Sequence, residues 1–293
     1  MNQGEAAMPY RELVSVQEAL KVLNQERGKK AFARQFLLKK LRKTPDLCME
    51  AVREYGWALE FVPDEHKTAE LCLSAVKKCG WALEFVPGEH KSFKLCFEAV
   101  KKDSWALEFV PKEHKTTDLC LELVTHDGLA LEFVPDELKN LKLCFEAVRQ
   151  NSKALEFVPD EHKTPEICLY AVKHDGLTLA FVPDEHKSLK LCLEAVKQNS
   201  WALEFTPEKH KTADLCLYAV KKDGWALGFV PGEHKTAELC LYAVEKDGRA
   251  LDLVPKEHKT AELCLKAVKQ NSGAFYFVPE ELKNQVQKAM ARA

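Results

Sequence analysis

In the stretch Trp57–Gly80, WALEFVPDEHKTAELCLSAVKKCG, two apolar clusters flank a polar one. Ala58, Leu59, Phe61 and Val62 form the first, and Leu71, Cys72, Leu73, Ala75 and Val76 form the second. Pro63 closes the first cluster after fewer than two turns, because proline ends a helix at the residue before it. The second cluster predicts a helix that is apolar on more than one face, as a helix packed from both sides must be. The pattern then starts again at Trp81 and at Trp105, and its register of 24 residues holds without an insertion to Val278. A fixed period of this length marks a repeat protein in which each unit packs on its neighbours. Helices this short are unstable alone, so stacking has to supply their stability. The expected fold is an all-α solenoid of about ten two-helix, 24-residue units over residues 44–278. Residues 1–43 are expected to form an N-terminal helical cap and residues 279–293 a C-terminal capping helix.

Local signals place the ends of these helices. Thr68 is a good N-cap, and Pro45 and Pro165 stand at the first helical position, where the missing N–H costs nothing. Gly80, Gly128, Gly176, Gly224 and Gly248 stand where the second helix stops, and a left-handed C-cap is expected there. In Asn151-Ser152, Asn199-Ser200 and Asn271-Ser272 the expectation is that the cap shifts back by one, since asparagine tolerates the left-handed region. The helix-start triplets alternate in mid-chain (Ser92-Phe93-Lys94, Thr116-Thr117-Asp118, Asn140-Leu141-Lys142), which predicts a double unit of 48 residues. In the N-terminal cap, Pro9 and the Ser15/Glu18 capping box mark helix starts before Val16, Leu20 and Leu23. A second helix after Gly28 carries Phe32, Phe36, Leu37 and Leu41. At the other end, Val286, Ala289 and Met290 make one stripe.

Composition narrows the function classes. A formal net charge of −2 argues against nucleic acid as the main partner, because phosphate binding needs a positive excess. No apolar run is long enough to span a bilayer, and MNQGEAAMPY lacks the basic-then-apolar order of a secretory signal. Ten of the 11 cysteines fall in one column, Cys48 through Cys264. Neighbouring helices lie roughly 10 Å apart, too far for disulfides along that column. Free thiols in this number suit a reducing cytosol, and a cytoplasmic protein is expected.

The columns differ in what they offer. Lys67 and its nine equivalents beside Glu65 predict ion pairs between successive copies. Eight histidines, His66 to His258, each precede a ladder cysteine by six residues, but one His and one Cys per copy fall short of a zinc set. No metal and no cofactor is expected, and the cysteines are expected to act as small buried apolar residues. Cys79 lies off the column and is expected to be the reactive thiol. His126 and His174 sit at helix C-termini, where a cation is favoured.

The columns that vary between copies are the recognition candidates. The first holds Trp57, Trp81, Trp105, Trp201 and Trp225, interrupted by Leu129, Lys153, Leu177, Arg249 and Gly273. The mid-helix column holds Tyr170, Tyr218 and Tyr242 among Ser74, Lys266 and glutamates. Exposed Trp and Tyr dominate interface energetics, whereas the same tryptophans could instead seal the joints between copies. No nucleophile–base set, Gly-rich phosphate loop or paired carboxylates stands out, and near-identical copies argue against the unique site catalysis needs.

The motif A-L-x-F-V-P-x-E-x-K-T-x-E-L-C-x-x-A-V-x-x-D-G, as in Ala226–Gly248 with Gly228 as its exception, resembles that of a family of short tandem repeats. That family is of unknown function and is found mostly in bacteria, some of them host-associated. The resemblance runs from Lys43 to about Lys283, implies an all-helical array and brings no catalytic residues. The expected function is a non-enzymatic protein–protein interaction scaffold with an unknown protein partner. The alternatives are a modular nucleic-acid reader with one contact per repeat and, behind it, a Cys/His thiol or metal store.

Overall fold

A computed structural model describes residues 16–25, 37, 39–41 and 45–291. The chain divides into two compact units, Met1–Lys139 and Asn140–Ala293, and each is a stack of helical repeats. Every described secondary-structure element is helical. The expectations for Pro9, Ser15, Gly28, Phe32 and Phe36 concern residues outside those described. The helix Val16–Gln25 does form, with Ala19 and Leu20 buried, and Leu37 and Leu41 are buried as well.

One copy shows how the sequence dictates the rest. The α-helix Ala69–Lys78 starts at Thr68, whose Oγ1 accepts the Leu71 N–H at 3.3 Å. Its buried face is Leu71, Cys72, Ala75 and Val76. Cys79 follows in an extended conformation, and the chain turns into a six-residue 3₁₀ helix, Gly80–Phe85. The first helix of each unit is therefore 3₁₀, the tighter form used in short pieces. Gly80, Ala82 and Leu83 are its buried members, and Val86, just beyond its end, is buried as well. Pro87 then separates it from a single 3₁₀ turn, Gly88–His90, before Ser92 caps the next α-helix.

The glycine column does something other than expected. Among the described residues none has a positive φ, so no left-handed cap exists. A Cβ on Gly80 would instead fall on the carbonyl oxygen of Ala99 in the next copy and 2.5 Å from Asp103 Cβ. Glycine at this joint permits the close approach of the following helix backbone, a column position that Ser104, Ser152, Ser200 and Ser272 fill at other joints. The turn is held by the residue before it. Asp103, Asp127, Asp175, Asp223 and Asp247 each accept, through Oδ1, the N–H of the residue two further on, and Asn151, Asn199 and Asn271 do the same at 3.0 Å. These are Asx caps of the 3₁₀ helix, so asparagine stands in for aspartate and the cap does not shift.

The lysine column is also rewired. Lys67 is 9% exposed and pairs within its own copy, with Asp64 at 2.9 Å rather than with a glutamate of the neighbour. Lys139, Lys163 and Lys187 repeat this with Asp136, Asp160 and Asp184, as Lys211 does with Glu208. Where that acid is Gly88 or Lys256, the ammonium crosses to the next copy and donates to a backbone carbonyl, Lys91 to Phe109 at 3.1 Å and Lys259 to Phe277 at 3.3 Å. A short i,i+3 reach defeats the longer one between copies. At the C-terminal end the helix Glu280–Met290 buries Val286, with Met290 exposed.

Candidate functional site

Stacking puts the first column of each 3₁₀ helix at the joint between copies. In the first unit Trp81 lies over Trp105, ring centroids 6.1 Å apart and planes within 22°. Trp81 also meets Phe109 at 5.9 Å, and Trp105 meets Phe133 at 4.4 Å. Trp57 packs with Tyr55 and Phe61 and is half-buried. Trp81 and Trp105 remain 42% and 48% exposed. Each ring thus seals a joint with one part of its surface and offers the rest to solvent, so the two readings of the column describe the same side chain. Offset aromatic packing of this kind fixes the rings while leaving apolar area available.

In the second unit the tryptophans are pinned by their polar edges. Trp201 Nε1 donates to Asp223 Oδ2 at 2.8 Å, and Trp225 Nε1 to Asp247 Oδ2 at 2.9 Å. The acceptor in each case is the same aspartate that caps the next 3₁₀ helix with its other oxygen. Trp201 also packs edge-on against Phe229 at 5.5 Å, and Arg249 lies 5.8 Å from the Trp225 ring while pairing with Asp247. Partial burial pushes the Asp247 carboxyl up, but hydrogen bonds from the Arg249 side chain, Trp225 and the Arg249 backbone together outweigh it and hold the carboxyl below its usual range. This Asp–indole link was legible only in part: the Asp/Asn column is plain in the sequence, but its reach across 22 residues to a tryptophan needs the stack.

The tyrosine column lies on the α-helices and is less uniform. Tyr218 is 43% exposed. Tyr170 is half-buried, stacked on His174 at 4.2 Å and tilted on Phe145 at 5.6 Å, and Tyr242 carries the Lys221 ammonium 4.4 Å from its ring centre. His174 Nδ1 meets the Tyr170 carbonyl at 2.8 Å, which makes it a helix C-terminal partner as expected. The structure does not gather the three tyrosines into one cluster. The exposed apolar residues also include Phe93, Leu141 and Leu189, one per 48-residue step at the first position of an α-helix, which the helix-start alternation marks without pointing to recognition.

The ladder cysteines are buried, and several donate S–H to the carbonyl of the column lysine five residues earlier: Cys96 to Lys91, Cys168 to Lys163, Cys216 to Lys211, at 3.6–3.7 Å. Burial pushes the thiols of Cys72, Cys96 and Cys120 up to about 11. Among the described residues no three His, Cys, Asp or Glu side chains converge to hold a metal ion. Cys79, at a helix end, is the partly exposed thiol. A disulfide-exchange reagent at about pH 8 should therefore release one equivalent quickly and the other ten only in denaturant, since the thiolate is the nucleophile and buried thiols stay protonated. The fast equivalent should vanish in Cys79→Ser; two or more fast thiols would contradict the burial of the ladder.

No described helix is long and apolar enough to cross a membrane. None of the curated proteins matches the chain. A family match does exist, over residues 69–115, 117–163, 164–211 and 212–259, and each matched segment spans two of the 24-residue copies, in keeping with the 48-residue alternation of the helix starts. Those four segments cover more than half of the chain, which therefore belongs to the family described as Domain of unknown function (DUF4116).

Proposed function

We propose that this protein is a non-enzymatic protein-interaction scaffold of a reducing cytosol, and that it docks partners on the exposed aromatic column of its 3₁₀ helices. The observation that carries this is the Trp81–Trp105 pair, two large rings stacked on one another and still close to half exposed. Tryptophan is the residue type most enriched among binding hot spots, and rings held in place by packing lose little freedom on binding. The columns that would have to supply chemistry are occupied otherwise. Ladder thiols are buried, and most column lysines are tied to a carboxylate or a carbonyl. A formal charge of −2 weighs against a phosphate backbone as the partner.

The test is a capture experiment from cognate cytosol with the full chain, comparing wild type, Trp81→Ala/Trp105→Ala and Tyr170→Ala/Tyr218→Ala/Tyr242→Ala. The tryptophan pair is expected to cost at least about tenfold in recovery of specific partners, with hot-spot truncations costing roughly 2 kcal/mol or more. The tyrosine triple should cost less, because two of its rings are already committed to His174 and Lys221. Equal recovery by wild type and the tryptophan variant, with unchanged circular dichroism, would remove the proposed face.

A further inference from the structure

One copy in the second unit departs from its neighbours along its 3₁₀ helix. Leu177 stands where Trp201 and Trp225 stand, Thr178 replaces the column alanine, and Ala180 replaces the glutamate kept as Glu156 and Glu204. The shorter side chains of Leu177 and Ala180 leave a hollow of about 550 Å³, lined by Leu177, Ala180, Phe181, Trp201 and Phe205. That volume lies within the roughly 300–1,000 Å³ of ordinary ligand pockets. Its charged lining is lopsided, with Glu156, Asp175 and Glu204 against Lys153.

The hydrogen bonding of the hollow is incomplete in a specific way. Asp175 Oδ1 accepts the Leu177 N–H at 3.0 Å, as Asp223 and Asp247 do in their own copies. In those two copies Oδ2 accepts the indole N–H of the tryptophan 22 residues earlier. The residue 22 positions before Asp175 is Lys153, and among the described residues Asp175 Oδ2 accepts no hydrogen bond. The hollow thus combines a carboxylate oxygen whose counterparts on Asp223 and Asp247 receive an indole N–H with the face of Trp201, a ring held at its edge by Asp223 and Phe229 and still 45% exposed.

We infer that this hollow takes one arginine side chain of an extended segment of the partner protein, a reading that rests on the scaffold function proposed above. The guanidinium stacks flat on Trp201 and donates to Asp175 Oδ2, with Glu204 and Glu156 supplying the balancing charge. Arginine fits better than lysine because its plane matches the ring and its fork matches a carboxylate, and it sheds water more easily. Three carboxylates around the opening exclude an acidic side chain.

The experiment follows the indole resonances of the full chain, labelled with ¹⁵N in its five tryptophans, during titration with a short Gly/Ser peptide carrying one central arginine. The Trp201 signal, assigned through Trp201→Phe, is expected to shift saturably with the arginine peptide. The lysine peptide should bind about fivefold more weakly, and the glutamate peptide should produce no shift. Leu177→Trp fills the hollow with the residue five other copies carry and leaves the charge unchanged, so the fold survives; it should cost about tenfold or more in affinity. Glu204→Gln should weaken binding severalfold, with the difference shrinking as salt is raised. A Trp201 shift of the same size and midpoint in Leu177→Trp, or arginine-peptide shifts at Trp81 and Trp105 instead, overturns the inference. Partner capture that depends on Trp81 and Trp105, with no Trp201 shift in the titration, removes this inference alone. Loss of the scaffold reading in the capture experiment leaves the titration to be judged by itself.

Discussion

Gly176→Ala is expected to destabilise the second unit by roughly 1–3 kcal/mol, a large effect for one methyl group, although Ser152 and Ser200 show that the joints on either side are built with a Cβ at the same column position. The added Cβ would land on the Ala195 carbonyl oxygen of the next copy, 3.0 Å from Gln198 Cβ and 3.1 Å from the Asn199 nitrogen. The obstacle is backbone, so no side chain can swing away, and the two copies have to separate. Each copy is stabilised by its neighbour, so a forced gap at one joint costs the packing of both sides. Gly88→Ala and Gly232→Ala are the controls, because a Cβ at either position meets nothing within 4 Å. With no positive φ to violate, they should be neutral or stabilising by about 0.4–1 kcal/mol through the unfolded chain. Urea unfolding followed by circular dichroism reads all three. Gly176→Ala within about 0.5 kcal/mol of wild type would show that the copies are not held in this close register.

That contrast between glycines shows what a sequence can and cannot disclose. The 24-residue period, the all-helical fold, the caps at Thr68 and Ser92 and the place of Pro165 at the first helical position follow from spacing and residue type alone. Whether Gly80 is needed for its φ or for the space it leaves depends on what the next copy places against it, and a pattern within one copy is silent on that. The same holds for Lys67, whose choice between a glutamate of the neighbouring copy and its own Asp64 is a matter of side-chain reach. The tryptophans were legible as candidates, and their partial packing at the joint was not, since exposure and packing belong to different parts of one ring. The hollow beside Trp201 was half legible: Leu177 and Ala180 are visible departures from their columns, but only stacking places them between Glu156 and Glu204.

Alkaline pH is expected to unfold this protein over a narrow range, and the cysteine ladder is the reason. Burial raises the thiols of Cys72, Cys96, Cys120, Cys168, Cys216 and Cys240 from their ordinary 9.0 to about 11, and it raises Cys48, Cys192 and Cys264 as well. Between those two values the unfolded chain has lost these protons and the folded chain still holds them. Unfolding then releases protons, so stability is fully present below about pH 9 and falls as pH rises through the window. One fully shifted thiol contributes at most about 1.4 kcal/mol per pH unit. Allowing half of that for solvent screening, six thiols still give a slope on the order of 4 kcal/mol per pH unit, against a total stability of roughly 5–15 kcal/mol. Lys91 works in the opposite direction, because burial lowers its pKa and the folded chain gives up that proton first. It is a single group against six. Urea midpoints measured at half-unit steps from about pH 8 to 11, with a phosphine reductant present, should fall steeply above pH 9. In Cys168→Ala/Cys192→Ala/Cys216→Ala the midpoint at pH 8 drops through lost packing, but the slope flattens, which separates titration from cavity formation. A slope equal to that of wild type in this variant would assign the alkaline transition to groups other than the ladder thiols.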